Sequence, residues 1–138
     1  MAARALAEGS SVVADAIINN SFGPHAPAEM KRQWYEVMSR NAPHGVAAAL
    51  NAAAGRADST DLLRAINCPV LLIVGEHDTV TPLAGMQRMQ QRIRLSQLTV
   101  IPGAGHLPPI EQPERFAEAL QQFLLEVVPS EYTGAAVP

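Results

Sequence analysis

Two residues, Asp78 and His106, combine side chains capable of acid–base chemistry with positions that suit it. Asp78 lies in the loop 75–82 and His106 in the loop 103–109, and each loop contains glycine and follows a short apolar run. Functional residues of an open parallel sheet collect in the loops beyond the carboxyl ends of its strands. If the two runs are neighbouring strands, both side chains leave the same edge of the sheet. A carboxylate there can hold an imidazole in one tautomer and stabilise the imidazolium that forms when the ring takes a proton.

The apolar runs that precede these loops are predicted to be parallel strands. Residues 70–74 (VLLIV) are continuously apolar, which is typical of a strand covered on both faces, and residues 98–101 (LTVI) form a second run. A helix over 82–94 separates them and a last helix follows Pro113, so the order is βαβα with a right-handed crossover. Two strands leave both edges of a sheet without partners. We therefore expect the rest of the sheet to lie elsewhere.

The front of the chain is predicted to be helical throughout. Apolar residues recur at helical spacing in three stretches separated by turn residues, namely 2–20, 28–41 and 46–54. The first stretch is expected to divide into two helices near Gly9, and Pro43-His44-Gly45 to form a turn between helices. The chain therefore divides into a helical segment 1–57, an α/β segment 58–129 and a flexible tail 130–138.

Composition limits the classes of protein to which the chain can belong. Its 138 residues, 48% hydrophobic and 17% charged, fit one globular domain. The ten Lys and Arg are scattered and the formal net charge is -3, so we expect no nucleic-acid partner. No apolar stretch has the length of a membrane span, so we expect no membrane partner and a cytoplasmic location. The single cysteine, Cys68, fits a reducing compartment, and we expect it to be a small buried residue at a strand start rather than a nucleophile.

Two longer motifs surround the candidate pair. The run CPVLLIVGEHDTVTP (Cys68 to Pro82) and the run VIPGAGHLPPIEQPERF (Val100 to Phe116) resemble the acid-bearing strand and loop and the histidine loop of the α/β-hydrolase family. The resemblance implies that Asp78 is the acid and His106 the base of a catalytic triad. The family's chain order of nucleophile, acid and histidine is consistent with Asp78 preceding His106.

The resemblance also implies a fold class and a reaction. The chain is expected to be the C-terminal portion of an α/β-hydrolase sheet, two parallel strands with flanking helices, preceded by an all-helical cap over residues 1–57. That cap is similar to those of the lactonase, esterase and non-haem peroxidase-like branch. The implied reaction is hydrolysis of an ester, lactone or related bond in a small molecule, which requires no cofactor and no metal ion.

The sequence lacks the nucleophile motif of this family. The motif G-x-S-x-G needs two glycines four positions apart, and no two of the nine glycines are so spaced. The nearest imitation, residues 19–23 around Ser21, follows a helical stretch rather than a strand. By the resemblance, the nucleophile (Ser, Asp or Cys) and the oxyanion loop would both fall before residue 1. We therefore expect the chain to be inactive alone.

Simpler structural roles remain open for several of these residues. Asp78 could cap the following helix or bind turn amides, and His106 could be a packed loop histidine. A metal site from Glu76, His77, Asp78 and His106 lacks any recognised zinc spacing, and His77 is expected to face solvent. Glu111 and Glu114 are expected in the N-terminal turn of the last helix, where carboxylates suit the helix dipole.

Three interpretations of the whole chain follow. The chain could work with a separate N-terminal hydrolase half that completes the sheet. It could be the product of a truncated reading frame of an ordinary hydrolase. It could also be a non-catalytic binding module that acts, or self-associates, through its exposed sheet edge.

Overall fold

The front of the molecule is a group of four helices. The computed structural model describes residues 1–128, so the predicted tail 130–138 lies outside the described residues. The helices are α1 (Ala2–Glu8), α2 (Ser11–Ser21), α3 (Ala28–Ser39) and α4 (Pro43–Ala54). The predicted division of the first stretch is confirmed, because the chain turns at Gly9 with φ +90°. The boundary at residue 57 stays a prediction.

The prediction of a turn over Pro43-His44-Gly45 is wrong, because these residues form the first turn of α4. Proline suits the first helical position, where its missing N–H has no partner within the helix. The core of the helical group consists of small residues, Ala5, Val13 and Ala47, with Val46 and Leu50 packed against them. Small side chains allow α1 and α4 to pack closely.

The second part of the chain forms the predicted βαβα unit. Its elements are a short 3₁₀ helix (Thr60–Ala65), β1 (Val70–Gly75), α5 (Leu83–Gln90), β2 (Ser96–Ile101), α6 (Pro108–Glu111) and α7 (Pro113–Val127). Strands β1 and β2 are parallel, with Leu72 opposite Leu98 and Gly75 opposite Ile101. The apolar runs therefore form one sheet, and both strands end at the same edge.

Several details of the second part of the chain differ from the prediction. Helix α5 ends at Gln90 rather than near 94, and the Ser96 hydroxyl donates to the carbonyl of Gln90 at 3.1 Å and to that of Ile93 at 2.7 Å. Helix α6 was not predicted. Cys68 is exposed rather than buried, because β1 begins at Val70 and leaves it outside the sheet.

The outer face of α7 is apolar and exposed. Leu120, Leu124 and Leu125 are 39%, 44% and 62% exposed, whereas Phe116 and Phe123 are half-buried. The sheet beneath has β1 and β2 as its only strands within residues 1–128, so each strand has a partner on one side. Among the same residues, no helix is long and apolar enough to cross a membrane.

Candidate active site

Asp78 and His106 meet at the carboxyl edge of the sheet. Strands β1 and β2 end side by side, and the loops that follow them bring Asp78 Oδ2 to 3.0 Å from His106 Nδ1. The Asp78 side chain is 3% exposed and that of His106 is 34% exposed. The arrangement is a buried carboxylate bonded to an imidazole that solvent can reach.

The two oxygens of Asp78 have different roles. Oδ1 accepts hydrogen bonds from the backbone N–H groups of Val80 and Thr81, both at 2.8 Å. Oδ2 faces His106 and also accepts from the Thr81 hydroxyl at 2.7 Å. Asp78 therefore binds turn amides, as its simpler interpretation predicted, and contacts His106 with its other oxygen. Sequence reasoning did not single out Thr81, whose hydroxyl lies 3.2 Å from His106 Nδ1.

The environment keeps Asp78 ionised. Burial alone would raise the pKa of its carboxyl group, but hydrogen bonds from His106, Thr81 and Val80 outweigh burial and lower that pKa below its ordinary value. Asp78 is therefore a carboxylate at neutral pH. As an acceptor only, it favours the imidazole tautomer with the proton on Nδ1. Nε2 is then the nitrogen available for proton transfer.

The backbone around His106 is closely packed. The His106 N–H donates to the Ser21 carbonyl at 2.6 Å, and a Cβ on Gly105 would lie 2.6 Å from the same oxygen. Gly103 adopts φ +74°, and its N–H donates to Glu76 Oε2 at 2.9 Å. Glycine is therefore required at Gly105 for space and favoured at Gly103 by conformation.

Glu111 has a different place from the predicted one. It ends α6 instead of beginning the last helix, and its carboxylate accepts from the N–H groups of Gly105, Leu107 and Gly23 at 2.9, 3.2 and 2.6 Å. Glu114 does lie in the first turn of α7, where it is exposed. The contact with Gly23 spans 88 positions of sequence, so no local pattern signals it.

Ser21 does not have the setting of a family nucleophile. It is the last residue of α2, is 4% exposed, and contacts the histidine loop through its carbonyl oxygen. The nucleophile of this family sits on a turn from a strand to a helix. Residues 19–21 are the end of α2, so a helix and not a strand leads to Ser21, as the sequence predicted.

The other candidate metal ligands are not gathered into a site. His77 is exposed, as expected, with Nε2 3.7 Å from Glu76 Oε2 and its ring edge-on to His25 at 6.4 Å. Within residues 1–128, no three His, Cys, Asp or Glu side chains form a group that could hold a metal ion.

A parallel strand pair with a carboxylate and an imidazole in contact at its carboxyl edge is typical of the C-terminal part of the α/β-hydrolase fold. Comparison with protein families agrees with the fold. The model of the alpha/beta hydrolase family matches residues 2–119. The chain belongs to the α/β-hydrolase family.

The most similar proteins include esterases and lactonases. The chain is 40% identical over 75 residues to 3-oxoadipate enol-lactonase 1 of Acinetobacter baylyi, a match of 54% of this chain and 28% of that protein. It is 34% identical over 103 residues to a pimeloyl-[acyl-carrier protein] methyl ester esterase of Xanthomonas campestris pv. campestris, a match of 72% of this chain and 40% of that protein.

Among solved structures, a thermophilic esterase from Thermogutta terrifontis superposes with a TM-score of 0.85 at 39% identity. The match covers 93% of this chain and 48% of the esterase. The chain therefore spans 28% and 40% of the two curated relatives and about half of this esterase.

Proposed function

We propose that the chain supplies the acid, Asp78, and the base, His106, of a nucleophile–His–Asp triad that hydrolyses an ester or lactone bond in a small molecule. The observation that carries the proposal is the 3.0 Å contact between Asp78 Oδ2 and His106 Nδ1, with the carboxylate buried and the imidazole reachable. The nucleophile and the oxyanion hole belong to an N-terminal hydrolase half outside this chain. The chain alone is inactive.

The geometry suits the following steps. His106 Nε2 takes the proton of the nucleophile hydroxyl as its oxygen attacks the acyl carbon, and Asp78 stabilises the imidazolium without taking its proton. Nε2 then gives that proton to the leaving alkoxide, leaving an acyl-enzyme. A water molecule then attacks the acyl carbon as Nε2 takes its proton, and Nε2 returns that proton to the nucleophile oxygen as the acid product leaves. The lowered pKa of Asp78 supports its remaining ionised throughout.

The uncovered surfaces support a partner half. Leu120, Leu124 and Leu125 expose an apolar stripe on α7, and β1 has a strand partner on one side within residues 1–128. Exposed apolar surface and an unpaired strand edge are both expected where another polypeptide segment supplies part of the core. The relatives, which are longer than this chain, are consistent with a second portion that covers both. The free Cys68 supports a cytoplasmic location for the assembly.

The same exposed stripe favours one alternative function, a non-catalytic module that binds a partner or a second copy through α7. The absence of the G-x-S-x-G spacing from the chain fits that alternative as well. The two functions differ in whether His106 does chemistry, so an activity measurement separates them.

The test is a chimera in which this chain replaces the matched half of the Thermogutta terrifontis esterase. The uncovered portion of the esterase should carry the nucleophile, which precedes the acid in the family's chain order. We expect the 138-residue chain to release no nitrophenol from a p-nitrophenyl ester beyond the buffer rate, and the folded chimera to turn the ester over.

His106→Ala should reduce kcat of the chimera by about 10⁴-fold or more. His44→Ala is the matched control, because His44 is exposed in α4, and it should leave kcat unchanged. A folded chimera that is inactive with His106 present would reject the catalytic proposal and favour the binding module. Turnover by the 138-residue chain that His106→Ala abolishes would reject the placement of the nucleophile outside it.

A further inference from the structure

The loop that carries His106 is bound along its backbone by acceptors from elsewhere in the chain. The N–H groups of Gly105 and Leu107, on either side of His106, both donate to Glu111 Oε1, at 2.9 and 3.2 Å. The N–H of His106 itself donates to the Ser21 carbonyl at 2.6 Å. Three consecutive amides are therefore held, two of them by one carboxylate oxygen.

The second oxygen of Glu111 connects the same loop to the helical front. Oε2 accepts from the N–H of Gly23 at 2.6 Å, and Gly23 lies two residues after Ser21, whose carbonyl holds His106. The histidine loop and the residues that follow α2 are thus joined through one side chain. Carboxylate acceptors make stronger hydrogen bonds than neutral acceptors do. The three hydrogen bonds of Glu111 therefore resist displacement of the histidine loop and of the backbone at Gly23.

We infer that Glu111 is a positioning residue for His106. Its carboxylate fixes the backbone on both sides of the imidazole and the adjoining turn at Gly23, and so keeps Nδ1 directed at Asp78 Oδ2. Glu111 touches neither Asp78 nor the ring of His106 in the contacts described, so it acts through the backbone. The inference rests on the proposed function, since it concerns the same imidazole.

Because the Glu111 carboxylate only accepts hydrogen bonds, substitutions that remove or replace its oxygens should weaken these three contacts. Glu111→Gln keeps the size of the side chain but puts an NH₂ group where one of the carboxylate oxygens accepts. At least one backbone N–H then faces a donor. Glu111→Ala removes all three bonds. Glu114→Gln is the matched control, because Glu114 is an exposed glutamate three residues further along.

The test measures the tautomer of His106 in the 138-residue chain by long-range ¹H–¹⁵N NMR at alkaline pH. The wild type and Glu114→Gln should hold the proton mainly on Nδ1, and Asp78→Asn should lose that preference. Glu111→Gln should lose at least half of the Nδ1–H population, with circular dichroism showing that the fold remains.

A second measurement uses the active chimera. Glu111→Gln should lower kcat of the chimera by about 10–100-fold with KM unchanged, because displacing a catalytic group by about an ångström has a cost of this size.

A folded Glu111→Gln chain with the wild-type tautomer would overturn the inference while leaving the Asp78–His106 couple intact. A wild-type chain with no preference for Nδ1–H would instead count against the proposed function itself. Should the Glu111 variants fail to fold, hydrogen exchange in the wild type decides. Slow exchange of the Gly105 and Leu107 amides would support their hydrogen bonds to Glu111. Exchange at the rate of an exposed loop would reject the positioning role of Glu111.

Discussion

The loops at the strand ends and the outer face of α7 differ in how many of their groups contact other parts of the chain. In the loops, Asp78 accepts bonds with both oxygens, Glu111 holds three amides, and Gly105 leaves room for a passing backbone. On α7, by contrast, Leu124 and Leu125 remain 44% and 62% exposed. The contrast indicates that the contact between Asp78 and His106 is organised within this chain, whereas the apolar face of α7 is left exposed to solvent within residues 1–128.

The largest effect should come from filling the space at Gly105. A Cβ there would lie 2.5 Å from the Gly23 nitrogen and 2.6 Å from the Ser21 oxygen, and neither backbone atom can rotate away. We expect Gly105→Ala to lower the free energy of unfolding by about 3 kcal/mol or more, the upper end for overpacking. Urea titration followed by circular dichroism measures it. A loss of less than about 1 kcal/mol, close to the effect of a surface substitution, would show that the backbone around Gly105 has room for a methyl group.

The next prediction concerns the exposed face of α7. We expect the 138-residue chain to self-associate, because burying one leucine gains about 1.5–3 kcal/mol. Leu125→Gln should then weaken association by about 10–100-fold. Leu62→Gln is the matched control, since Leu62 is 66% exposed in the 3₁₀ helix, away from that face.

Sedimentation velocity over a range of concentrations measures the association. The prediction fails if the wild type sediments as a single monomeric species at high concentration. It also fails if the two leucine variants associate equally, because the outer face of α7 is then not the surface through which the chain self-associates.

Removing the charge of Asp78 should have an intermediate effect that depends on pH. Its pKa is lowered in the folded chain, so the carboxylate stabilises the fold above its ordinary pKa, and this stabilisation is lost as pH falls through the folded pKa. Asp78→Asn should therefore cost about 1–3 kcal/mol at neutral pH, and the difference from wild type should shrink in acid.

Urea titrations from neutral to acidic pH measure this difference. Asp15→Asn, at an exposed aspartate of α2, should change stability by no more than about 0.5 kcal/mol throughout. A cost of Asp78→Asn that is independent of pH would mean that the ionised carboxylate contributes no stability.

The smallest effect should be a gain from Gly85→Ala. Gly85 lies in α5, and apart from the helix backbone and the adjacent residues the nearest atom to an added Cβ is Arg88 Nη2 at 3.8 Å, the end of a flexible side chain. Alanine should stabilise the helix by about 0.5–1 kcal/mol. The same urea titration as for Gly105→Ala measures it, and a loss of stability would show that α5 is packed more tightly than the distances indicate.

The parts of the molecule predicted from sequence are those set by local patterns. The runs 70–74 and 98–101 correctly predicted strands β1 and β2, and the placement of Asp78 and His106 in the loops after them correctly predicted that the two would meet. The turn predicted at Pro43 was wrong because the same proline suits the first turn of a helix. Glu111 was misplaced for a different reason. Its partners are backbone amides, one of them on Gly23, and a backbone N–H leaves no mark in the sequence.

The most direct test of the account is covalent labelling of the nucleophile with a fluorophosphonate, which reacts with a serine that a triad activates. We expect no label on the 138-residue chain and, in the chimera, a label located by mass spectrometry in the esterase portion. That label should disappear with His106→Ala and persist with His44→Ala. A label on Ser21 or any other residue of the 138-residue chain, or one that survives the loss of His106, would contradict the proposed roles of His106 and of a nucleophile outside the chain.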